Sequence, residues 1–289
     1  MSEEPPDFPP TNPSPDGPLP VLVPTARPVV STSLSAPRRL DPMWLFDLSR
    51  GRAWKDVGLF LFLALGLETV FDLVFFPVMG VPEPGAEESE SYYTIAVLSR
   101  LAYRAAAMIF LVTVILRNRG QTFASVGLRK RKVLADVLLG LPTMVFAYAL
   151  VVMVLNTLAL IWPAVFRQMD ENMNRLDVLF PALPVLGYAC LAAAVGFYEE
   201  LVFRGFLMTR LRRATGGWTG GVLLSTLIFT ALHALEQTPS ALVAVTILSL
   251  TFSAVTILRR SIIPAVVAHA LFDFVQFVSL DYLMGGRGA

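Results

Sequence analysis

Past residue 56 the chain reads as long apolar stretches separated by short polar ones. A stretch of roughly 20 apolar residues spans the ~30 Å hydrocarbon core of a bilayer as a helix. Seven such segments stand out: Val57 to Met79, Tyr92 to Leu116, Val133 to Trp162, Val185 to Thr209, Trp218 to Leu235, Pro239 to Leu258 and Ile262 to Leu283. The pattern predicts an all-α, polytopic membrane helical bundle of about seven transmembrane helices. Pro181 and Pro184 suit the start of the fourth, and the third is long enough to require tilt or a kink near Pro142.

Residues 1–42 differ in kind. They hold twelve of the 21 prolines among Ser, Thr and Asp, too little apolar surface to order a fold, and are expected to be a disordered Pro-rich cytoplasmic tail with no secretory signal peptide. Residues 43–56, with Trp44 and Trp54 among Arg50, Arg52 and Lys55, read as an interfacial segment of aromatic anchors and snorkelling cations. Residues 57–132 then form an N-terminal transmembrane hairpin with a basic loop, and 133–284 the remaining transmembrane domain.

Composition agrees with the pattern: 55% hydrophobic and 16% charged residues, with a mean hydropathy of +0.63, lie far from a soluble globule. A net charge of +1 offers nothing to nucleic acid, so the expected partners are the lipid bilayer and a membrane-associated substrate. The one cysteine, Cys190, excludes an intramolecular disulfide or a cysteine metal cluster and is expected in the core. Basic residues fall on alternate loops: Arg50, Arg52 and Lys55; Arg117, Arg119 and Arg129 to Lys132; Arg210, Arg212 and Arg213; Arg259 and Arg260. The other loops carry Glu83, Glu87, Glu88 and Glu90, then Asp170 and Glu171, then Glu236. The positive-inside bias places the N-terminus in the cytoplasm and the C-terminus outside, and the plasma (inner) membrane is the expected location.

Ionisable groups at bilayer depth are costly, so each needs a reason. Glu68 and Asp72 on the first span, and Arg100 and Arg104 on the second, are i, i+4 pairs whose numbers match in one antiparallel register, Glu68 to Arg104 and Asp72 to Arg100. They read as a structural ion ladder. The second set lies in the last four spans: Glu199, Glu200, Arg204, His233, His269 and Asp273, which include both histidines of the chain.

Adjacent helical residues point about 100° apart, so Glu199 and Glu200 cannot both face one small site. Glu200 can brace the helix with Arg204, which leaves Glu199 for a cavity. Phe229 shares a helix face with His233, and His269 with Asp273. A carboxylate and an imidazole suit general-base activation of water, and a second imidazole suits stabilisation of an oxyanion. Glu199, His233 and His269 also form a conceivable zinc set, although no His-Glu-x-x-His spacing is present.

These motifs, Glu199-Glu200-Leu-Val-Phe-Arg204, Phe229-Thr-Ala-Leu-His233 and His269-Ala-Leu-Phe-Asp273, resemble in order those of the CPBP family, the intramembrane CAAX-type prenyl endopeptidases and bacteriocin-processing (Abi) enzymes. The resemblance covers about residues 185–280 and extends to the loop at Gln121 to Lys132, with Ser125-Val-Gly127. It implies an intramembrane endopeptidase, glutamic or metal-dependent, in which Glu199 activates water with His233 while His269 and residue 273 stabilise the oxyanion. Its substrate would be a membrane-associated protein or peptide. Asp273 stands where an Asn is common in the family; an ionised Asp cannot donate to an oxyanion, so it must be protonated, orient His269 or ligate a metal. The alternatives are a zinc-dependent hydrolase with the same residues and a catalytically silent scaffold or immunity protein.

One feature of the spacing works against a shared site. Glu199 and His269 lie seven to ten residues from the cytoplasmic ends of their spans, whereas His233 lies about fifteen residues beyond Trp218. Gly216, Gly217, Gly220 and Gly221 are expected to keep the start of the fifth segment non-helical or below the membrane and so to correct the mismatch.

Overall fold

The computed structural model describes residues 48–79, 87–130 and 132–283. The expected tail at 1–42 and residues 43–47 of the interfacial segment lie outside them. The described residues form helices without strands. The order is α1 (Arg50–Met79), α2 (Glu87–Asn118), a 3-10 turn (Phe123–Val126), α3 (Val133–Ile161), α4 (Ala164–Leu179) and α5 (Val185–Glu200). A π-helical stretch (Leu201–Leu207) follows, then α6 (Met208–Thr215), α7 (Trp218–His233), α8 (Pro239–Arg259) and α9 (Ile263–Leu283).

Six helical segments among these are long and apolar enough to span a membrane, one of them the unbroken run from Val185 to Thr215 through the π stretch. The fifth expected span, Trp218 to Leu235, is shorter. α7 has 16 residues, about 24 Å at 1.5 Å per residue, less than the ~30 Å core. It ends at His233, whose carbonyl receives the N–H groups of Glu236 and Gln237.

The stretch between the third and fourth spans, read from sequence as an acidic loop, is the amphipathic helix α4. Its Val165, Asn172 and Leu176 are buried, and it is tied to the start of α8. The amide N–H of Thr238 donates to Asn172 Oδ1 at 3.1 Å and that of Ser240 to Gln168 Oε1 at 3.0 Å, which satisfies two donors that a helix start leaves open.

The long helices are apolar on all sides, with Phe62, Leu65, Phe110, Phe146, Leu160 and Leu258 turned outward, as suits a lipid solvent. Cys190, expected in the core, is exposed on α5; an all-apolar helix gives no period from which to read its buried face. The inner helix is α9, packed between α3 and α5. Close approach to α5 depends on Gly196, where a Cβ would stand 2.9 Å from the backbone N of Ala270 and 3.2 Å from the carbonyl oxygen of Val266. Because the obstruction is backbone, α9 itself must move. Gly196→Val is expected to cost about 1–3 kcal/mol, read as a lower melting temperature of the full chain in detergent.

The first hairpin has the register its charges predict. Arg104 forks Glu68, with Nε and Nη2 each 3.0 Å from a carboxylate oxygen, and Arg100 Nη2 lies 2.9 Å from Asp72 Oδ2. Tyr103 stacks on Phe71 at 4.2 Å and donates to the Leu67 carbonyl at 3.0 Å, locking the same register. Three cations at the basic end are tied inward. Arg119 binds buried Asp56 at 2.5 Å, Arg210 donates to Gln121 at 2.7 Å and lies over Phe206, and Arg259 binds Asp136 at 2.7 Å. Asp56, at the end of the expected interfacial segment, therefore belongs to the second turn of α1.

Candidate active site

Glu199 and Glu200 end α5, and their divergence on the helix is resolved by what packs on each side. Glu200 points into the protein and is fully buried. Its Oε1 accepts two charge-assisted bonds, from Arg204 Nη1 at 2.7 Å and from His269 Nδ1 at 2.8 Å. Arg204 sits in the π stretch, with its guanidinium 4.6 Å from the centre of the Phe229 ring and 5.6 Å from that of Phe252. Among the described residues no hydrogen-bond acceptor faces its Nε or Nη2, so aromatic faces carry that side of the cation. The brace expected between Glu200 and Arg204 is present, and it does more: the same carboxylate grips His269 and fixes which ring nitrogen faces the cavity.

That nitrogen is His269 Nε2. It lies 3.5 Å from Asp273 Oδ2, one turn along α9, and 3.9 Å from Glu199 Oε2 across the gap to α5. Glu199 Oε1 accepts a hydrogen bond from the Tyr198 hydroxyl at 3.1 Å. His233 ends α7 with Nδ1 2.9 Å from the carbonyl oxygen of Phe229. A carbonyl only accepts, so Nδ1 carries the proton and Nε2 of the neutral ring keeps a lone pair for a donor such as water. The Phe229 ring lies between the two imidazoles, 4.5 Å from His233 and 6.5 Å from His269.

Glu199, His233, His269 and Asp273 line one cavity of about 450 Å³. The depth mismatch expected for His233 disappears for a reason the spacing hid. The helix bearing Glu199 does not stop at Thr209 but continues through α6 to Thr215, and the chain reverses at Gly216, left-handed at φ +88°. Glu199 and His233 stand 17 positions before and after that glycine, so an antiparallel hairpin brings them level. Of the glycines expected to keep the start of the fifth segment non-helical or below the membrane, only Gly216 and Gly217 stand outside the helix. Gly220 and Gly221 lie within α7, and a Cβ on Gly221 would stand 2.8 Å from the Met208 carbonyl oxygen, so they allow α6 and α7 to touch.

Sequence reasoning passed over several residues of this cavity. Arg100 and Arg104, read as purely structural, lie on its wall with Tyr93, Tyr198, Glu236, Gln237 and Gln276. A second cavity of about 380 Å³ opens onto the same His233, His269 and Asp273 from the side of α3, α4 and α8, and its wall is mostly apolar, with Val151, Leu155, Phe166 and Leu248. No signal in the order of residues marked either wall.

Among the described residues no three His, Cys, Asp or Glu side chains stand together so as to hold a metal ion. Of the zinc set suggested by the sequence, His269 Nδ1 is taken by Glu200 and His233 Nδ1 by its own helix, which leaves the two Nε2 atoms and the Glu199 carboxylate facing the cavity.

Residues 181–275 match the family model described as type II CAAX prenyl endopeptidase, Rce1-like. Neither the curated proteins nor the solved structures contain a significant match to this chain. The matched segment runs from the approach to α5 to the middle of α9 and holds every residue of the glutamate and histidine cluster. Over residues 181–275, about a third of the chain, the protein is thus similar to the CAAX-type (CPBP) endopeptidases, and its six candidate spans are those of an integral membrane protein.

Proposed function

We propose that the protein hydrolyses a peptide bond near the C-terminus of a membrane-associated protein, using water activated by Glu199. The observation that carries this reading is the convergence of Glu199, His233, His269 and Asp273 on one cavity inside the helical bundle. Water sits between the Glu199 carboxylate, which takes its proton, and His233 Nε2, which accepts its other hydrogen and aims the oxygen. The water oxygen bonds to the scissile carbonyl carbon, and the carbonyl oxygen becomes an oxyanion. His269, held through Nδ1 by Glu200, in its imidazolium form donates from Nε2 to that oxyanion, with Asp273 beside it to balance the charge. The proton on Glu199 then passes to the leaving nitrogen, the oxyanion collapses as the C–N bond breaks, and an amine and a carboxylic acid remain, the acid giving its last proton to bulk water. Glu200 and Arg204 act through His269 and do not touch the substrate.

The two cavities support the substrate class. A lipid-modified C-terminal peptide offers an apolar chain for the wall of Val151, Leu155 and Phe166 and a polar backbone for the wall bearing the carboxylates. With the basic loops in the cytoplasm the N-terminus lies inside, in the plasma (inner) membrane, and the C-terminus outside.

The test is incubation of the full chain in detergent with a farnesylated C-a-a-X peptide in ¹⁸O-labelled water, with and without a chelator. Cleavage with one ¹⁸O in the new carboxylate is expected, unaffected by the chelator. His233→Ala is expected to lower the rate about a hundredfold. No cleavage of this or an unmodified peptide would favour a silent scaffold, and loss of activity to the chelator would favour a zinc hydrolase.

A further inference from the structure

The N-terminal hairpin lies outside the matched segment, yet its charges reach the cavity. Arg104 is held by Glu68 through Nε and Nη2, which leaves Nη1, and its guanidinium interacts electrostatically with Tyr198 on the same cavity wall. Tyr198 is buried and donates its one proton to Glu199 Oε1 at 3.1 Å. A phenol that donates to a carboxylate keeps lone pairs that can only accept, and Arg104 is the donor placed to fill one. The four side chains thus form a line from α1 through α2 to α5: Glu68, Arg104, Tyr198, Glu199. Arg104, Tyr198 and Glu199 all face the same cavity.

We infer that Tyr198 and Arg104 are positioning residues for Glu199, and that the first hairpin serves the reaction by holding the base in place. The inference rests on the reading of Glu199 as base. The Tyr198 proton fixes Oε1, which turns Oε2 toward His269 and the water; Arg104 keeps the phenol from rotating away; Glu68 keeps Arg104 extended across the membrane interior. A ladder needed only for folding would require the two ion pairs but not the contact with Tyr198.

Three variants of the full chain test this: Tyr198→Phe, which removes one hydroxyl; the neutral pair Glu68→Gln/Arg104→Gln, which leaves no orphaned charge; and their combination. With the farnesylated C-a-a-X peptide, kcat is expected to fall about tenfold to a hundredfold in Tyr198→Phe with KM within about twofold, since a misplaced base slows the chemistry more than the binding. The neutral pair is expected to lose a similar factor, and the combination no more than either, because all act through one contact. An infrared band of the Glu199 carboxyl group, isolated as the difference between a protein and its Glu199→Gln variant, is expected to shift in both Tyr198→Phe and the neutral pair.

Full kcat and an unmoved band in Tyr198→Phe would overturn the inference. So would a neutral pair that lowers only the melting temperature, or losses that multiply in the combination. Should the wild type leave the peptide uncut, the proposed function fails on its own, and the infrared band still decides whether Tyr198 and Arg104 position Glu199.

Discussion

Glu199→Gln is expected to leave the bundle folded and to lower peptide cleavage by about 10²–10⁴-fold, the usual contribution of a general base. The side chain keeps its size and can still accept the Tyr198 hydrogen bond, so packing around α5 changes little. What is lost is the site that takes the proton from water, and with it the later donor to the leaving amine. Glu199 is partly exposed to the cavity and carries no buried ion pair closer than His269 at 3.9 Å, so its neutralisation does not strand a partner. The measurement is the single-turnover rate on the farnesylated peptide, set beside the melting temperature in detergent. An unchanged rate would remove Glu199 as the base and the water mechanism with it.

Arg204→Met carries the largest expected loss of stability, about 3–5 kcal/mol, because it leaves the Glu200 carboxylate buried without its cation. Glu200 is 0% exposed and Arg204 1%, so no rotation brings either charge to solvent. Activity falls too, since Glu200 Oε1 is shared between Arg204 and His269, and a carboxylate that relaxes or takes up a proton no longer holds Nδ1. The double variant Glu200→Leu/Arg204→Met separates the two effects. Removing both charges is expected to restore most of the stability, as apolar replacement of a buried pair does, while cleavage stays low because His269 has lost its acceptor. Unfolding in graded denaturant gives the first quantity and the cleavage rate the second. A double variant as active as wild type would show that Glu200 has no part in orienting His269.

Much of this molecule was legible before any coordinates. Apolar runs longer than a bilayer is thick force helices, because backbone groups in lipid have no other partner. The register of the first hairpin followed from Glu68, Asp72, Arg100 and Arg104, since charges at bilayer depth must pair and the i, i+4 spacing leaves one way to do so. The cluster from Glu199 to Asp273 stood out because charge is so rare among these apolar segments. Two elements were misjudged through length and composition. α4 was hidden by its acidic residues, which lie on the exposed face of an amphipathic helix. The expected end of the fourth span, Thr209, is the last uncharged residue before Arg210, whereas Arg210 continues the helix because Gln121 and Phe206 receive its charge inside the protein.

Sequence alone thus determined that the chain lies in a membrane, which spans carry the chemistry and which residue types supply it, because these follow from local composition and from the cost of charge in hydrocarbon. The i, i+4 spacing paired Glu200 with Arg204, but tertiary structure alone decided which carboxylate grips His269. On a helix apolar all round, no pattern says whether Glu199 or Glu200 points at α9; the packing at Gly196 and the aromatic seat of Arg204 do. The level meeting of Glu199 and His233 likewise depends on a hairpin that turns at Gly216, and the shared cavity wall of Arg104 and Tyr198 on two helices whose residues stand 94 positions apart in the chain. Such contacts arise from how helices pack against one another, and nothing in the order of residues along one helix specifies its neighbour.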